Sequence, residues 1–256
     1  MDSAENSQVF EDLLYELFAL PFNRTEEIAV LEQKIHAALQ NQPADICGLI
    51  TLMFAEIMRG NRSKARSLGC QIWEIGGILP PFFELVYTEN LLSLGQIDMG
   101  TILLKPRFEK LRENIESFYP VLVKFSVMTG NLALLERLRA FADVSGDDAL
   151  LFEFADVYRD AGCQTQFKDI QKLVLEHSAD YLCAYEYNLY DDRDFPELEI
   201  VLYTGFDDLT CLKMQSDIEN KVEAYWRSVG RERLYNHAVL VRNIKQHESW
   251  ISEEEA

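Results

Sequence analysis

Four glycines, Gly60, Gly95, Gly130 and Gly162, each close one apolar helical segment and precede another, at separations of 35, 35 and 32 residues. A period near 34 is the length of one helix-turn-helix unit, so this spacing predicts a chain of stacked helical hairpins. In the first unit, Pro43 and Asp45 open a helix in which Ile46, Leu49, Ile50, Met53, Phe54 and Ile57 recur at the three-and-four spacing of one buried face. Gly60 supplies the permissive backbone of a tight turn. The return helix, 61–75, turns Ala65, Leu68, Ile72 and Ile75 inward.

The second unit starts after Pro80 and Pro81 with Phe82, Leu85, Val86, Asn90 and Leu94, turns at Gly95 and returns through Ile97 to Leu104. In the third, Phe118, Val121, Leu122, Phe125 and Met128 lead to Gly130, and the return runs from Leu132 to Val144. The fourth runs through Leu150, Leu151, Phe154, Val157 and Tyr158 to Gly162 and returns through Phe167, Ile170, Leu173 and Val174. Residues 8–20 and 25–40, the latter opened by Thr25 with Glu26 and Glu27 in its first turn, read as a further helix pair at the N-terminal end.

After Asp180 the period changes from helical to alternating. Residues 182–189 and 197–203 read as two strands joined by a turn through Asp191, Asp192, Arg193 and Asp194 before Pro196. A helix over 209–229, ended by Gly230, and a third strand over 237–244 complete a ββαβ order. The expected organisation is a mainly α helical-hairpin domain over 1–177, a small α+β domain over 178–247 and an acidic tail over 248–256. No Gly-, Pro- or Ser-rich spacer separates the first two, which argues against a swinging linker. Cys183, Tyr185, Tyr187, Leu198, Ile200 and Leu202 offer more apolar surface than one helix buries, so this sheet face either packs on the end of the helical array or pairs with a second copy, giving a homodimer.

The residues that follow the turns resemble those of tetratricopeptide repeats. In that family the turn glycine is often followed five residues later by a small residue where the two helices pack closely, and Gly60 is followed by Ala65 and Gly95 by Gly100. The third and fourth units carry Leu135 and Phe167 there, and the family's Trp and Tyr positions in the first helix are not kept. The resemblance covers residues 43–177 and implies an α-solenoid with a concave groove that holds a peptide or protein. On that reading the groove candidates are Glu56, Arg59, Tyr87, Asn90, Lys124 and Tyr158. Two basic clusters, Arg59, Arg62, Lys64 and Arg66, then Lys105, Arg107, Lys110 and Arg112, would receive an acidic peptide or the chain's own acidic hairpin, or are solvated helix ends.

Charge points to the kind of partner. The net charge is −19, with 26 acids and 16 bases over residues 1–177 and 17 acids and 8 bases over 178–256. Such a field repels phosphate backbones and anionic membranes, which leaves a basic protein surface as the natural partner. Asp191, Asp192, Asp194, Glu197, Glu199, Asp207 and Asp208 would form an acidic face, making an acidic inhibitor, immunity protein or nucleic-acid mimic the runner-up to an adaptor. Their spacing matches no calcium loop.

Chemistry finds little to stand on. The cysteines at 47, 70, 163, 183 and 211 and the histidines at 36, 177, 237 and 247 make no metal-ligand spacing, so the cysteines are expected as reduced, packed thiols. There is no phosphate-cradling glycine loop and no nucleophile motif, so no catalytic residue, metal or cofactor is expected. No apolar run is long enough for a bilayer, Ala44 to Met58 being broken by Asp45, Gly48 and Glu56, and the N-terminus is acidic where a secretory signal is basic. The expected location is the cytoplasm.

Overall fold

The computed structural model describes residues 3–246 except 23, 41, 142–146, 192–195 and 235, and for 3–6, 111–117 and 147 the backbone alone. It is mainly helical, with eleven α-helices among the described residues and a three-stranded sheet near the C-terminal end. The helices are α1 (Ser3–Phe18), α2 (Thr25–Leu39), α3 (Ile46–Met58), α4 (Arg62–Ile75), α5 (Pro81–Ser93), α6 (Ile97–Glu109), α7 (Leu111–Met128), α8 (Leu132–Leu138), α9 (Asp147–Asp160) and α10 (Gln164–Ser178). Then come β1 (Leu182–Tyr190), β2 (Glu197–Thr204), α11 (Asp208–Ser228) and β3 (His237–Asn243). The last return helix of the third unit stops at Leu138, followed by a 3-10 turn over Arg139–Phe141, and the expected end at Val144 lies outside the described residues.

Each of the four glycine turns is the same hydrogen-bonded object. Gly60 N–H donates to Ile57 O and Asn61 N–H to Glu56 O, at 2.9 and 2.8 Å, with Gly60 at φ +73°. The paired bonds recur at Gly95, Gly130 and Gly162, and again at Gly230 at the end of α11. This is the Schellman arrangement, which satisfies two orphan carbonyls of the helix end and places glycine where φ is positive. The residue five positions after each hairpin glycine, Ala65, Gly100, Leu135 or Phe167, is buried in all four cases.

Asp45 starts α3 by accepting a hydrogen bond from Gly48 N–H at 3.0 Å. Every residue of α3 from Cys47 to Met58 is buried, so this helix has no solvent face, where the sequence predicted a single apolar one. The reason is its position: α1, α2, α4 and α5 all pack against it. Ile75, predicted inward, is exposed because α4 ends there and the chain turns away through Gly76 and Gly77.

In the sheet β2 is central, antiparallel to β1 and parallel to β3. Both faces are covered. Tyr185, Leu198, Ile200 and Leu202, with Val239 and Val241, join Met214, Ile218, Val222 and Trp226 of α11 in a core shared with residues of α6–α10. Cys183, Ala184, Val201, Tyr203 and Ile244 join the core built by α1–α5. A register shift between Leu182 and Ala184 accounts for Cys183 parting from Tyr185. The sheet therefore lies between two helical cores instead of capping the end of the helices. Its β3 edge is blunted by α11, because Val239 N–H donates to Glu219 and Val241 N–H to Gln215, at 3.4 and 3.1 Å.

The basic residues after Gly60 are used internally. Arg66 donates to Leu94 O at 2.8 Å and to Ala179 O, and Arg62 donates to Leu182 O and to Leu94 O. Both thus tie the end of α5 to the segment that leads from α10 into β1. Proteinase K should therefore spare residues 176–181 of the native chain, whereas Arg66→Ala should speed cleavage there about tenfold or more, the opening being favoured by the loss of charge-assisted bonds. Equal cleavage rates would show that Arg66 does not hold this junction.

Candidate functional site

Five of the six groove candidates are buried and belong to different neighbourhoods. Glu56 accepts from Asn61 at 2.7 Å and pairs with Lys64, next to Glu32, which pairs with Lys64 and with the exposed Arg59. Burial works against ionisation of Glu32, but hydrogen bonding with Glu56 and Lys64 and the charges of Arg59 and Lys64 hold its carboxyl below the usual range. Tyr87 donates to Gly69 O at 2.8 Å, between α4 and α5. Tyr158 sits among Phe154 and Phe167, with ring centroids 5.1 and 5.0 Å away, and burial pushes its phenol up. Lys124 pairs with Glu89 at 2.8 Å. These side chains do not line one open channel, because the sheet packs on α5 and α9 along the predicted groove.

The acidic candidates separate as well. Asp191 and Glu197 flank the β1–β2 turn, and Glu199 accepts from Asn188 and Tyr190 at 3.0 and 3.3 Å. Asp207 caps α11, accepting from Thr210 N–H at 3.0 Å, bonds that hold its carboxyl below the usual range, and Asp208 accepts from Gln246. The two groups lie at opposite ends of β2, roughly 25 Å apart for a strand of this length. Asp192 and Asp194 lie outside the described residues. Among the described residues no three His, Cys, Asp or Glu side chains converge as a metal site, and the five cysteines are free, Cys70 exposed and the others buried.

Two cavities carry more distinctive chemistry. The first, about 140 Å³, lies where α1, α3, α5 and β1 meet, walled by Phe18, Phe54, Phe82, Val86 and Ala184. Phe18 and Phe54 meet edge to face at 5.0 Å, and Tyr15 stacks on Phe82 at 5.4 Å. Asn90, a sequence candidate, also lines it; the residue is 3% exposed and its Nδ2 has no hydrogen-bond partner.

The second cavity, about 250 Å³, opens between the end of α4 and α6 and is lined by Trp73, Gly76, Gly77, Leu79 and Leu103 among others. Exposed apolar side chains neighbour these residues in sequence: Ile75, Ile102 and Ile78, the last with 101% of its surface open. Gly76 and Gly77 both have positive φ, at 62° and 119°, and carry the chain through the bend that presents Ile78. Of the sequence candidates, Tyr87 lines this cavity, but the exposed loop beside it was passed over. The available signal was the pair Ile78 and Leu79 set between two glycines and two prolines, where a connecting loop is ordinarily polar.

No helix among the described residues is long and apolar enough to cross a membrane. No protein-family model matches the chain, and neither curated proteins nor solved structures show a significant similarity to it.

Proposed function

We propose that this chain is a protein-interaction adaptor whose hairpins form a tetratricopeptide-like array, and that it contacts its partner through the apolar patch around Trp73, Ile78 and Ile102. The observation that carries this reading is Ile78, fully exposed on a double-glycine loop beside an apolar cavity. Leaving such side chains in water forgoes about 1.5–3 kcal/mol each, which a partner's apolar surface recovers. The contact lies on α4, the loop that follows it and α6 instead of in a concave groove, since the groove candidates are mostly buried. A binding role also fits the acidic surface, which keeps the free chain soluble around an apolar contact. The split of the acidic residues between the two ends of β2 is why we favour an adaptor over an acidic inhibitor of a basic partner.

Ile78→Asp combined with Ile102→Asp tests the patch. Both side chains are exposed, so the melting temperature should stay within about 2 °C, as surface changes away from special features cost within about 0.5 kcal/mol. Partner recovered from the native host at high salt should fall at least tenfold, which corresponds to about 1.4 kcal/mol or more of lost contact. Undiminished recovery would place the contact elsewhere.

A further inference from the structure

On the adaptor reading, the surroundings of the patch define the chemistry of the partner that covers it. The cavity beside Ile78, about 250 Å³, has apolar walls from Ile46, Ile72, Leu79 and Leu103. The one hydroxyl in the wall, that of Tyr87, already donates to Gly69 O at 2.8 Å. A cavity of about 150 Å³ takes a benzene ring, so this one has room for a whole aromatic or leucine side chain. A single large side chain seated in such a pocket is the kind of anchor that carries most of an interface's binding energy.

Backbone and charge restrict the partner further. The lining residues belong to α3, α4, α5, α6 and the loop after α4, and none to a strand. An extended peptide would therefore find no sheet edge to pair with, whereas a helix satisfies its own backbone groups and presents apolar side chains along one face. Glu74, next to Trp73, and Asp98, one turn before Ile102 on α6, are both exposed, and neither has a cationic partner among the described residues. Lys105 is the one base in 71–80 and 97–105. With a chain charge of −19, a second copy would bring the same acids against these, whereas a basic partner would be attracted. We infer that the patch binds an amphipathic helix of a partner protein, which sets one aromatic or leucine side chain into the cavity and carries lysine or arginine on the flanks of its apolar stripe.

Dye-labelled synthetic peptides test this on the full-length chain by fluorescence anisotropy. The reference peptide carries Leu, Trp and Leu at i, i+4 and i+7 of a helix flanked by lysines. Its controls are a scrambled sequence of the same composition, a form with a central proline, and a form with glutamates for the lysines. The reference should bind saturably at one site, about tenfold or more tighter than the scrambled and proline forms, the margin of one buried anchor. The glutamate form should also bind about tenfold more weakly, its charge contacts being repulsive. Ile78→Asp with Ile102→Asp should abolish binding of the reference, and Glu74→Lys with Asp98→Lys should reverse the preference for lysine over glutamate. The comparison among peptides uses the wild type alone and stands if a variant fails to fold. Equal affinity of the reference and any control, or binding that survives Ile78→Asp with Ile102→Asp, overturns the proposal. So does a dimer of the free chain that the reference peptide dissociates, which would make a second copy the occupant. The adaptor reading falls separately, on undiminished recovery of the native partner by that same variant.

Discussion

Replacing Gly130 by alanine should destabilise the protein by about 2–4 kcal/mol, far more than the same change at Gly230. The two glycines share φ +63°, so both substitutions place an alanine in the left-handed region at a cost of about 1 kcal/mol. Only Gly130 has a neighbour in the way: a Cβ there would come within 2.6 Å of Lys168 Cα and 3.0 Å of Lys168 N. Those are backbone atoms of α10, which a side-chain rotation cannot move aside. At Gly230 nothing lies within 4 Å. Urea unfolding of both variants therefore separates the cost of the turn from the cost of the packing. Equal losses would mean that α10 is not seated on the turn between α7 and α8.

Acid should weaken the fold through one histidine. His237, at the first position of β3, is 4% exposed; its Nε2 lies 3.4 Å from Gln171 Nε2 and its ring meets Phe167 at 5.6 Å. Burial, with a further contribution from the Arg233 guanidinium, lowers its pKa to about 3. In the unfolded chain the same ring titrates near 6.5, so between these values the unfolded state carries the extra proton. The stability of the folded state is thus complete above about pH 6.5 and falls toward pH 3 by up to about 1.4 kcal/mol per pH unit.

His237→Gln keeps a polar partner for Gln171 and removes the titration. The variant should lose about 1 kcal/mol less per pH unit than the wild type between pH 6 and pH 4.5, measured by urea unfolding. Groups common to both proteins, such as His177, whose pKa burial and Lys221 lower, cancel in that comparison. Parallel pH profiles would show that His237 is protonated in the folded chain or reached by water.

The sequence by itself determined the elements. Positive φ at a helix end is nearly a glycine property, so Gly60, Gly95, Gly130, Gly162 and Gly230 mark real chain reversals wherever their helices go. Asp45 before an apolar run is a local capping signal, and the alternation in 182–189 and the β-branched and aromatic run in 197–203 are local strand signals. These are contacts within a few residues of one another, which is why they are legible without the fold.

What covers each face was decided only in three dimensions. The alternation along β1 gives two sides, but not that one side joins α1–α5 and the other α11 and the later helices. Periodicity in α3 gives an apolar stripe, and only the simultaneous packing of four helices removes its solvent face. Glu56, Tyr87, Asn90 and Tyr158 read as polar or amphipathic groove residues, and the tertiary contacts bury them because the chain's own sheet and neighbouring helices supply the covering surface. The aromatic cavity lined by Phe18, Phe54 and Phe82 likewise exists only once α1, α3, α5 and β1, which are distant along the chain, have met. A sequence pattern reports how a segment divides apolar from polar, and the geometry between segments sets which of those surfaces is left open.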